Sequence, residues 1–122
     1  MPKRGDKELL LDMIEAIKRI ELYTNKLSYQ DFLKKIETQD AVVRNFEIIG
    51  EAVKKVSKTL KAKYNHIQWK EIAGMQDKVI HFYFGVNWNI VWGAAKDSLP
   101  TFKVEIERIL KVVEESKNKG GY

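Results

Sequence analysis

Apolar residues recur along this chain at intervals of three and four, the period of an α-helix. The strict alternation of strands bounded by Asn-Gly or Asp-Gly turns is absent. The first such segment begins near Asp6, which reads as an N-cap, and runs to Leu22 or Tyr23. Its apolar positions form two adjacent rows, Leu10, Ile14 and Ile17 beside Leu9, Met13, Ala16 and Ile20, with Asp12, Glu15, Lys18 and Arg19 outside them. Ser28 and Asp31 then match a capping box and open a short helix through Phe32, Leu33 and Ile36.

A second long helix is predicted from near Asp40. Val42, Phe46, Ile49, Val53, Val56 and Leu60 make one unbroken stripe suited to packing at a shallow angle. The last long stripe comprises Trp88, Trp92, Ala95, Leu99, Phe102, Ile106, Ile109 and Val113. Pro100 falls inside it and cannot donate to the helical ladder. Because the stripe keeps its phase, one kinked helix is expected, the alternative being a fresh helix capped by Asp97 or Ser98. Between these lies IQWKEIAGMQDKVIHFYFGVNWNIVW, residues 67–92, where Ile72, Met75, Val79 and Phe82 form a core row. Gly85 is expected to end that helix in a left-handed conformation and Asn87 to cap the next. The prediction is an all-α bundle of four main helices and one inserted short helix. It forms a single domain over residues 1–122, frayed from 116 to 122.

Composition narrows the chemistry. The chain has 122 residues and no cysteine, which excludes disulfides, thiol catalysis and cysteine-held metal centres. Only two histidines, His66 and His81, are present, so an all-histidine metal site within one chain is not expected, and no cofactor is implied. No apolar run approaches the ~20 residues of a membrane span. The opening Met-Pro-Lys-Arg-Gly-Asp leads into an amphipathic helix rather than a signal peptide, so a cytoplasmic protein with no membrane partner is expected. The formal charge of +5 permits a polyanionic partner without requiring one. Lys54, Lys55, Lys58, Lys61 and Lys63 follow one another without an intervening acid; they read as a solvated helix end complementing the dipole rather than a dedicated RNA track.

His81 is the best candidate for chemistry. On a helical wheel it lies with Asp77, four residues earlier, on the face opposite the core row and beside Gly74. The carboxylate and the helix C-terminus both favour imidazolium. Phe82, Tyr83, Phe84, Trp88 and Trp92 offer more aromatic surface than one helix end needs, although most of it reads as core. A protonatable histidine beside aromatics and lysines suits a phosphodiester or an unstacked base.

The stretch WKEIAGMQDKVIHFYFGVNWNIVW, together with RNFEIIGEA at 44–52, resembles the HepT-like branch of the HEPN superfamily over essentially the whole chain. The resemblance implies a small all-α toxin, dimeric, partnered by an MNT-type minimal nucleotidyltransferase antitoxin and acting as a metal-independent ribonuclease on RNA. The family signature is an arginine, four to six residues, a histidine, any residue and a tyrosine. His81 and Tyr83 match, whereas the arginine position is Gln76. By resemblance His81 handles proton transfer, and Tyr83 is the residue onto which the antitoxin of some members transfers AMP. Gln76 can donate a neutral hydrogen bond but brings no charge to a phosphate. An ideal helix separates positions 76 and 81 by about 140°, so serving one phosphate requires a helix distortion, long reach or a second protomer. Arg44 and Asn45, in the other matching block, are candidates for RNA or phosphate binding; the plain alternative for Arg44 is a surface pair with Glu47 or Glu51. Two functions follow: a toxin endoribonuclease weakened by Gln76, or a catalytically silent helical adaptor that binds the nucleotidyltransferase.

Overall fold

A computed structural model of the chain describes the backbone of residues 5–81 and 87–119 and the side chains of 5–75 and 87–115. All regular structure among the described residues is helical: α1 (Asp6–Thr24), α2 (Tyr29–Lys34), α3 (Ile36–Lys55), α4 (Lys58–Lys63), α5 (Trp69–His81), α6 (Trp88–Gly93) and α7 (Leu99–Lys119). A π-helical turn, Ala94–Ser98, joins α6 to α7 without leaving helical dihedrals, so these form one rod. The bundle thus has the four main helices expected, with two short ones rather than one. Helix α1 packs on α3 and α7, and α5 packs on α3. No helix among the described residues is long and apolar enough to cross a membrane.

Helix α1 buries both predicted rows. Leu10, Met13, Ile17 and Ile20 are wholly inaccessible to solvent, each contributing about 1.5–3 kcal/mol by burial. Its cap is not Asp6. Gly5 occupies the N-cap position, and Asp6 is the first helical residue. The Asp6 carboxylate instead accepts hydrogen bonds from Ser57 N–H (2.9 Å) and Ser57 Oγ (2.6 Å).

That contact explains the largest departure from the predicted helices. The stripe from Val42 to Leu60 belongs to two helices, because α3 ends at Lys55 and Val56 is extended (φ −60°, ψ 140°). Ser57 accepts from Leu60 N–H and so opens α4. A serine held by a distant carboxylate while capping a new helix outcompetes continuation of the old one. Val56 remains buried across the break, which is why the stripe looked unbroken. At its other end α3 starts at Ile36 rather than Asp40, and Ile36 belongs to α3, not to the short helix, with 71% of its surface exposed.

The Ser28–Asp31 capping box is formed: each side chain accepts the other residue's backbone N–H. It seats Phe32 at zero exposure, with the Trp88 ring edge-on at 5.7 Å and Trp92 at 5.1 Å. Asn87 caps α6 through Asn89 and Ile90 N–H, as expected. The kinked single helix is realised through the π turn, in which Leu99 N–H bonds Ala94 O. A widened turn ahead of Pro100 relieves the clash that a proline ring makes with the carbonyl four residues back. From this turn Lys96 Nζ donates to Thr24 O (2.9 Å) and lies 4.8 Å from the Trp92 ring centroid. It thereby supplies the cation that the last turn of α1 lacks. Helix α7 continues to Lys119.

Candidate functional site

Helix α5 carries the candidate residues and is anchored at its start. The Trp69 indole N–H donates to Tyr64 O (3.1 Å), and its buried ring meets Phe102 edge-on at 5.9 Å. Ile72, Ala73 and Met75 pack half-buried against the core, as the predicted row requires of Ile72 and Met75. Gly74 faces open space: a Cβ built there would touch nothing within 4 Å. The backbone is α-helical from Trp69 to His81.

This regularity fixes the positions of the motif. Positions 77 and 81 follow Gly74 by three and seven residues and share its helical phase on this backbone. A helix without a π insertion keeps positions 76 and 81 about 140° apart, so helix distortion does not bring them together. Val79 and the side chains of Gln76, Asp77 and His81 lie outside the described side chains. Phe82, Tyr83, Phe84 and Gly85, with the helix stop expected there, lie outside the described residues.

Helices α3 and α5 run antiparallel. Val53 and Lys54 share a groove with Trp69, Lys70 and Ala73, and Phe46 and Ile49 share a small cavity with Ile72 and Met75. Continuing that register brings the Arg44–Asn45 end of α3 level with the part of α5 that follows Met75. The two sequence blocks that carry the resemblance therefore meet at one end of the bundle. Their side chains differ. Arg44 is 71% exposed and lies 3.5 Å from Glu47, the surface pair foreseen as its plain alternative. Asn45 is buried at 5% exposure; its amide donates to Ala41 O (2.8 Å), and its Oδ1 has no hydrogen-bond partner. In the single chain Asn45 is thus a core residue without the open surface that phosphate contact needs.

Trp88 and Trp92 are packed around Phe32 and Tyr29, in keeping with the expectation that most of this aromatic surface is core. Another expectation changes. The lysines after Ala52 do not form one helix end, since α3 stops at Lys55 and α4 carries the rest. Lys70, absent from the sequence reading, joins Lys54 and Lys61 around one groove; the signal available was its place in the acid-free run from Ala52 to Lys70.

Comparison with known proteins agrees with this architecture. "Putative RNase MJ1216" of Methanocaldococcus jannaschii is 46% identical over 114 residues, covering 93% of this chain and 94% of that protein. "Probable ribonuclease HepT" of Thermococcus cleftensis is 42% identical over 109 residues, 89% of this chain and 99% of the relative. "Putative RNase TTE0752" of Caldanaerobacter subterraneus is 42% identical over 99 residues, 81% and 82% of the two chains. No solved structure matches the chain. The sequence model of the family described as ribonuclease HepT-like matches residues 13–109, and with four-fifths of its length so matched the chain belongs to that family.

Proposed function

We propose that this chain is the toxin of a toxin–antitoxin pair, a metal-independent endoribonuclease of the cytoplasm. In this reading the RNA 2′-hydroxyl attacks the adjacent phosphorus as a base removes its proton. The P–O5′ bond breaks, and an acid returns a proton to the leaving O5′. His81 fills one of these roles, Asp77 one turn earlier favours its imidazolium form, and Gln76 donates a neutral hydrogen bond to the phosphate. Family membership carries the proposal, supported by the α-helical backbone of α5, on which positions 77 and 81 lie one turn apart. The functional unit is a homodimer whose interface includes the face bearing these two positions, so that a second protomer supplies what the 140° separation denies within one helix. The partner is an MNT-type nucleotidyltransferase that joins the AMP phosphorus of ATP to the Tyr83 oxygen and releases pyrophosphate. The added phosphate then repels RNA from the cleft.

The alternative, a silent adaptor that docks the nucleotidyltransferase, draws on one observation: the uncharged Gln76 at the arginine position. A single experiment separates the two. RNA cleavage in EDTA is followed for the wild type, Gln76→Arg, and Gln76→Arg with His81→Ala. The nuclease reading expects cleavage that rises with Gln76→Arg, by about a hundredfold if the restored charge acts mainly in the transition state, and vanishes with His81→Ala. No cleavage from any form, with partner binding intact, establishes the adaptor. Cleavage that survives His81→Ala removes His81 from the mechanism.

A further inference from the structure

The positive charge of this chain is concentrated in one place. Residues 52–70 contain six lysines and no acid, whereas the whole chain sums to +5, so the other residues together are slightly acidic. The break at Val56 folds this run back on itself. Lys54 from α3, Lys61 from α4 and Lys70 from α5 line one open groove of ≈ 520 Å³, with Asn65 beside them and Glu71 as its one acidic residue among the described residues.

Helix dipoles do not account for the arrangement. Lysines at the ends of α3 and α4 complement their own helices, but Lys58 and Lys70 occupy first turns, where a cation is disfavoured. Three lysines from three helices against one carboxylate give the described lining of the groove a net positive charge, which attracts a polyanion. We propose that this groove is an exosite for the phosphodiester backbone of single-stranded RNA, an inference that rests on the ribonuclease reading above. Lysine is a point charge that grips phosphate without reading bases. The one aromatic residue of the groove among the described residues, Trp69, is buried and offers no stacking platform, so the contact is independent of base sequence. Lys70 lies eleven residues before His81 on the same helix, a rise of about 16 Å. The groove therefore holds strand flanking the scissile phosphate rather than that phosphate itself.

The test compares two triple variants with equal loss of charge. Lys54→Gln, Lys61→Gln and Lys70→Gln neutralise the groove; Lys18→Gln, Lys26→Gln and Lys111→Gln neutralise exposed lysines outside it. Binding of a fluorescent 2′-O-methyl oligonucleotide, which lacks the attacking hydroxyl, is measured by anisotropy across a salt series. The groove variant should bind at least about tenfold more weakly near 0.1 M salt, and its log–log salt slope should fall by about 2. The control variant should stay within about twofold, and lysine-to-arginine replacement at the three groove positions should preserve binding and show that the fold tolerates change there. Equal losses in both triples, no loss in the groove triple, or a wild type that does not bind overturns the exosite. So does a groove-dependent loss of binding to phosphatidylserine vesicles with RNA binding intact. A wild type that binds RNA through the groove but never cleaves it refutes the nuclease reading and leaves the exosite standing. A wild type that cleaves with a KM indifferent to the groove lysines does the reverse.

Discussion

Removing the Asp6 carboxylate tests how the basic run is folded back. In Asp6→Ala, Ser57 loses two partly buried hydrogen bonds of 2.9 and 2.6 Å to a charged acceptor. Bonds to charged groups contribute roughly 1.5–3 kcal/mol each, less where solvent reaches them, so a loss of about 2–4 kcal/mol is expected. Ser57→Ala removes the Oγ bond and the cap on Leu60 N–H but spares the backbone bond, and should cost about 2–3 kcal/mol. Because the two residues share a contact, the double variant should fall short of additivity by about 1–2 kcal/mol. Urea denaturation followed by tryptophan fluorescence gives all four stabilities. Hydrogen exchange supplies the local readout: the amides of Leu60 and Lys61, which bond Ser57 Oγ and Ser57 O, should exchange faster in Asp6→Ala. Strict additivity, or an Asp6→Ala cost below about 0.5 kcal/mol, would show that the α3–α4 break is maintained by burial of Val56 alone.

Phe32→Ala should destabilise the chain by about 3–5 kcal/mol and shift tryptophan emission to the red, because the ring is fully buried between Trp88 and Trp92; a cost under about 1 kcal/mol would refute that packing. Hydrogen bonds from Ser28 hold the Asp31 carboxyl below the ordinary aspartate value. Its capping contribution is therefore complete above that value and lost as the pH falls through the lowered one, so an NMR titration midpoint at or above the ordinary value would contradict the cap. With the cognate nucleotidyltransferase, ATP and magnesium, intact-mass spectrometry should show AMP on the wild type and none on Tyr83→Phe; equal addition to both moves the acceptor elsewhere.

Periodicity revealed what repeats, and it missed what is decided once. The two rows of α1 and the capping box at Ser28 were legible because each is written within a few neighbouring residues. The break at Val56 was not, because its cause is the bond between Ser57 and Asp6, 51 residues apart, and the apolar spacing runs through it unaltered. For the same reason Asp6 was misread: an acid before a helix resembles a cap, and nothing local discloses a distant serine. Asn45 looked available for phosphate because it follows Arg44, yet α3 turns it inward. At the candidate site, the face shared by positions 77 and 81 was readable from the helical period. The separation of positions 76 and 81 became firm only with a helix that runs unbroken from Trp69 to His81.

The π turn between Ala94 and Ser98 makes the length of this rod matter more than its composition. One residue deleted there would convert it to an ordinary α turn with little change of phase, but one residue deleted from the α-helical turns on either side would rotate Trp88 and Trp92 by about 100° against Leu99, Phe102 and Ile106. The aromatic cluster and the main core would then no longer face the same interior, and the Lys96 contact to Thr24 would be lost with them. A deletion in the exposed turn at Asn25–Lys26 carries no such phase error. Insertions and deletions tolerated within this family should therefore collect in the connections and spare the α-helical turns on either side of Ala94–Ser98, whose spacing acts as a ruler for the two halves of the core.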